Sequence, residues 1–183
     1  QNTSVGKSAL TANTTGLRNT AIGREALQAN TTASQNTAVG SGAMAANTTG
    51  YSHTAVGHGA LDTQNGGYAC GAFGVDALRS CTTGVNNQAF GQNALAAVTT
   101  GSHNVAMGVA AGQSITTGNG NVCIGYNAGV NRTTSSDLTV YIQLQVVITL
   151  LLVDMQTCYL LQEIRQIVLV LTLVIIQPQV HIM

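Results

Sequence analysis

Apolar residues recur along most of this chain at one fixed interval, longer than any helical or strand period. Val5, Ile22, Val39, Val56, Phe73, Phe90, Met107 and Ile124 follow one another at a constant 17-residue spacing. Glycine follows each at once: Gly6, Gly23, Gly40, Gly57, Gly74, Gly91, Gly108 and Gly125. Alanine comes three residues later, at Ala9, Ala26, Ala43, Ala60, Ala77, Ala94, Ala111 and Ala128. Leucine or methionine succeeds it in the first six copies, and Gly112 and Gly129 in the last two. The polar half of the period is as regular. Thr-Thr-Gly stands at Thr14 to Gly16, Thr48 to Gly50, Thr82 to Gly84, Thr99 to Gly101 and Thr116 to Gly118. Thr31-Thr32-Ala33, Asn65-Gly66-Gly67 and Thr133-Thr134-Ser135 are its variants. The consensus is N-T-A-V-G-x-x-A-L-x-x-N-T-T-G-x-x, in eight copies.

A 17-residue unit is too short for a helical hairpin, which needs more than about 30 residues, and its Gly, Thr and Asn disfavour helix. It can hold short strands and tight turns. N-T-A-V-G predicts a strand with alternating faces, and the run from Ala-Leu to Thr-Thr predicts a second extended segment. Glycine admits positive φ at the turns, while Asn and Thr bond the backbone there. Stacked coils give an all-β parallel β-solenoid, with equal positions about 4.8 Å apart and a rod of roughly 38 Å. Its expected core is one Val-like residue, one Ala and one Leu per coil. So thin a core favours several chains sharing one interior, most simply a homotrimer.

Composition divides the chain in two. All 21 glycines lie between Gly6 and Gly129. Residues 1–136 therefore read as the repeat domain and 137–183 as a hydrophobic, Gly-free tail. The apolar runs of the tail are too short for a spanning helix, and Asp154, Glu163 and Arg165 lie between them. A membrane contact arises only if this tail is a genuine anchor. Gln145, Gln162 and Gln179 keep the 17-residue spacing. The tail thus reads as the same repeat in a shifted frame, without a fold of its own, and its β-branched runs favour aggregation.

Charge removes further classes. Charged residues make up 7% of the chain and the net charge is zero, so there is no electrostatic footprint for nucleic acid. Ser4-Val5-Gly6-Lys7-Ser8 resembles the end of a phosphate loop but lacks its leading glycine. Position 7 belongs to a variable column with Arg24, Ser41, His58 and Val75, which predicts a solvent-facing turn. His53, His58 and His103 fall in different columns, so no metal ladder or catalytic dyad is expected. Cys70, Cys81 and Cys123 replace Asn, Asn and Ala of the repeat and read as free substitutions, with a disulfide left open. Asp62 and Asp76 are too sparse for paired acid–base chemistry. The expectation is no enzyme, no cofactor and no metal. The N-glycosylation acceptor patterns at Asn2, Asn13, Asn30, Asn47 and Asn131 are better explained as Asn and Thr ladders. The Thr columns raise one rival, an ice-binding solenoid. Adjacent threonines point to opposite faces, however, and Asn65-Gly66 interrupts the array.

The segment from Asn36 to Gly50, N-T-A-V-G-S-G-A-M-A-A-N-T-T-G, and its copies resemble the repeats of phage and metagenomic tail-fibre proteins. They are similar, more distantly, to the head repeats of trimeric autotransporter adhesins. The resemblance covers residues 1 to about 136. It implies a trimeric, left-handed parallel β-roll on a virion or cell surface. It also implies a shaft or adhesive role in host attachment, with a host receptor or glycan as partner.

Overall fold

The computed structural model describes residues 1–134, 136 and 140–142. They form an all-β parallel solenoid with no helix among the described residues. Nine three-residue strands form one sheet in chain order: β1 (Thr3–Val5), β2 (Thr20–Ile22), β3 (Thr37–Val39), β4 (Thr54–Val56), β5 (Gly71–Phe73), β6 (Gln88–Phe90), β7 (Val105–Met107), β8 (Val122–Ile124) and β9 (Val140–Ile142). From β1 to β8 the register advances by one whole repeat per strand, as in Thr37↔Thr54. The last step is one residue longer, pairing Val122 with Val140. The sheet therefore runs past residue 136. The frame-shift reading of the remaining tail lies outside the described residues.

Each coil has one strand, not the two expected. The Ala-Leu segment forms consecutive turns instead. Ala26 N–H donates to the Gly23 carbonyl at 3.4 Å and Asn30 N–H to the Leu27 carbonyl at 3.1 Å. Leu10, Leu27, Met44, Leu61, Leu78 and Leu95 all take left-handed backbone, with φ between 50° and 54°. Left-handed corners also recur two residues after each repeat glycine, as at Glu25 and Asp76, and once more at Arg18, Gln35 and Ser52. These corners turn the chain through a closed circuit within a single repeat, leaving too little length for a second strand.

The repeat glycine is imposed by the neighbouring coil. Gly57 has φ +139°, and a Cβ there would lie 2.4 Å from the Gly74 carbonyl oxygen. Gly40 and Gly74 meet the same obstruction one coil away. The column thus records close backbone approach between coils.

The core differs from the expectation in one respect. From β2 to β7 the inward residue is the alanine before the Val-like position. Ala21, Ala38, Ala55, Ala72, Ala89 and Ala106, with Cys123, have no exposure. They pack with the second alanine column (Ala26 to Ala128) and the turn leucines. Strand alternation then directs the Val-like residue outward. The interior is so narrow that alanine suffices on one side and leucine on the other.

Two polar columns complete the interior. Asn19, Asn36, Asn87, Asn104 and Asn121 are buried, and buried amides are costly unless bonded. Here they substitute for the ladder at a corner. Asn36 Oδ1 accepts the His53 N–H at 2.9 Å, and its Nδ2 donates to the Gly50 carbonyl at 2.8 Å. His53 occupies the same column and copies both functions. Its Nδ1 accepts the Cys70 N–H at 3.2 Å, and Nε2 lies 3.3 Å from the Gly66 carbonyl. This histidine is a structural stand-in for asparagine.

Candidate interaction surface

The outward strand position forms a continuous apolar ridge. Val5 and Ile22 pair in register, followed by Val39, Val56, Phe73, Phe90, Met107 and Ile124. Val39 is half-exposed; the others range from 37% for Val56 and Phe73 to 58% for Val5. Phe73 and Phe90 stack with centroids 5.0 Å apart and planes within 4°. No charged residue enters this column. In a separate column, the position after the repeat glycine changes from Lys7 and Arg24 in the early coils to Val75, Gln92, Val109 and Tyr126 in the later ones. Val75 is 43% and Val109 45% exposed. Single exposed apolar residues need no explanation, whereas a row running the length of a domain marks an interaction surface.

Charged residues gather beside the turns. Arg24, Glu25, His58, Asp62, Asp76 and Arg79 line an open groove of about 310 Å³ beside the turns. Arg24 pairs with Glu25 at 3.3 Å, both side chains well exposed. Burial raises the Asp62 carboxyl above its ordinary value, partly opposed by Arg79. Among the described residues no group of His, Cys, Asp and Glu has the arrangement of a metal site. His58 and His103 remain apart from His53; His103 lies 3.3 Å from the Asn86 amide. Lys7 is exposed, and Ser8 is a left-handed corner (φ 59°), as a variable turn requires.

The threonine columns behave differently from the expected opposite-facing pair. Neither is buried. In the first, the hydroxyl is engaged by the next coil: Thr14 Oγ1 donates to Thr31 O at 3.0 Å, Thr82 to Thr99 O at 3.1 Å and Thr116 to Thr133 O at 3.0 Å. Only the second column (Thr15, Thr32, Thr49, Thr83, Thr100, Thr117) offers an exposed row, broken by Gly66. Of the glycosylation-pattern asparagines, Asn30 and Asn47 are buried, with amides directed at Ala33 and Gly50 carbonyls. On a different column, Tyr51 and Tyr68 stack at 5.5 Å and are 48% and 40% exposed.

Sequence reasoning placed the Val-like column in the core and so missed the ridge. The signal was present in the triplet T-A-V: strand parity makes alanine and valine face opposite ways, and only one can be inside. Cys70 and Cys81, well separated in sequence, are brought together against one carbonyl oxygen, that of Gly84. Their shared hydrogen bond lowers the Cys70 thiol and raises the Cys81 thiol, with burial opposing the first and reinforcing the second. Burial alone pushes the Cys123 thiol up to about 11.

Comparison of the chain with family models, curated proteins and solved structures gives no match.

Proposed function

We propose that the chain is a structural and adhesive fibre segment of a virion or cell surface, not an enzyme, assembled as a homotrimer about its apolar ridge. The ridge is the observation that carries this reading. Three copies placed side by side would bury it along a common axis, and the parallel register supplies a straight, uninterrupted contact. Each buried Val or Phe would add about 1.5–3 kcal/mol, summed over eight coils. The turns with the charged groove and the Tyr51–Tyr68 stack would face outward, where a receptor or glycan could bind. The repeated backbone ladder fits a load-bearing role. The engaged threonine hydroxyls and the break at Gly66 weigh against ice binding.

Light scattering on the full chain tests the assembly. The expected molar mass is three times the 18.7 kDa chain. A monodisperse 18.7 kDa species would remove the trimer and, with it, the reading of the ridge.

A further inference from the structure

In the early coils two asparagine columns aim at one carbonyl, as Asn2 and Asn13 do at Gly16, at 2.8 and 3.1 Å. Asn19 and Asn30 both donate to the Ala33 oxygen, at 2.8 and 3.2 Å. Asn36 and Asn47 converge on Gly50 in the same way, at 2.8 and 3.0 Å. In the coil that reaches Gly84 both amides are replaced at once. Cys70 Sγ lies 3.3 Å from the Gly84 oxygen and Cys81 Sγ 3.8 Å from it. Both residues are buried, at 2% and 0% exposure. Their convergence follows from the columns, because the same two positions converge wherever asparagine fills them.

We propose that Cys70 and Cys81 are a disulfide-forming pair that staples this coil across its interior. Thiols are weak donors compared with amides, so the reduced coil binds its Gly84 carbonyl less firmly than its neighbours bind theirs. A covalent bond replaces that loss. It also falls beside the least regular coil, where Gln64, Asn65 and Gly66 interrupt both the asparagine and threonine columns and the buried Gln64 Oε1 has no partner. The oxidant is a low-molecular-weight disulfide acting while the coil is open. The Cys70 thiolate attacks one sulfur and expels a thiolate. The Cys81 thiolate then attacks Cys70 Sγ of the mixed disulfide and expels the second. Two protein thiols and one small disulfide give one protein disulfide and two small thiols.

The test equilibrates the full chain with reduced and oxidised glutathione, alkylates free thiols in denaturant and maps the linked peptides by mass spectrometry. The expected product joins the Cys70 peptide to the Cys81 peptide. It is absent in Cys81→Asn and retained in Cys123→Ala, each of which restores its column's usual residue. Oxidation should raise Tm by at least about 5 °C. Cys70→Asn/Cys81→Asn, which returns both columns to asparagine, should fold with the same circular dichroism and show no redox-dependent Tm. Alkylation of both cysteines after oxidation overturns the proposal. So does linkage of either to Cys123, Cys158 or glutathione, or a Tm shift that survives in the double variant.

Discussion

Single residues carry the coil geometry, and substitutions at two kinds of glycine separate its causes. At Gly57 an added methyl would strike the backbone of the next coil, and φ is one that side chains avoid. Gly57→Ala should cost about 3 kcal/mol or more, as a loss of Tm and of β-sheet circular dichroism. Gly42 is also left-handed, at φ +69°, but a Cβ there meets nothing within 4 Å. Gly42→Ala should cost only about 1 kcal/mol, read by the same melting curve. Asp62 gives a residue-scale test in pH. Its folded carboxyl is raised chiefly by burial, so protonation favours the fold and this contribution fades as pH rises through the folded value. At neutral pH, Asp62→Asn should show a small rise in Tm over the parent. The difference should close once pH falls below the ordinary carboxylate range of about 4. A larger gap at low pH would contradict the assignment.

At the scale of one coil, the turn leucine and the interior column beside it exchange volume. The leucine occupies left-handed backbone, a strain of about 1–3 kcal/mol, against a burial gain of about 1.5–3 kcal/mol. These nearly balance, so the position can become glycine when another side chain fills the space. Gly112 shows this. A Cβ there would lie 2.8 Å from Leu95 Cδ2 and 3.2 Å from Ile115 Cδ1, and Ile115 stands in the column that holds Asn13, Asn30 and Asn47 earlier. Gly112→Leu alone should destabilise by about 2 kcal/mol through overpacking. Gly112→Leu with Ile115→Asn, which recreates the earlier pairing, should recover at least half of that. A double-mutant cycle measured by denaturant unfolding checks it, and simple additivity would contradict the exchange.

Much of this architecture was legible in the sequence, and the reason is physical. A solenoid stacks equal positions, so any constraint on one coil is written again one period later, as the glycines from Gly6 to Gly125 show. The parallel sheet and its register followed from that spacing alone. The inward or outward sense of each column did not. Valine and leucine look alike as apolar letters, yet Val56 is exposed and Leu61 is fully buried. Asparagine looks like a surface turn residue, yet Asn36 sits inside with both amide atoms bonded. The repeat reports that a position is constrained, while the short strand and the left-handed corners decide where it points. The meeting of Cys70 and Cys81 was hidden for the same reason, because their separation in sequence matches no linear motif. It depends on two columns closing on one carbonyl.

At the scale of the whole molecule, we propose that copies of the chain meet along the ridge. Interchain disulfide trapping tests it most directly. With Cys158→Ser as background, Val56→Cys places a thiol on the ridge and Gln28→Cys places one on an exposed turn. After mild oxidation, a product of twice the chain mass is expected on a non-reducing gel for Val56→Cys and none for Gln28→Cys. Failure of Val56→Cys to link between chains, or equal linking at Gln28→Cys, would contradict it.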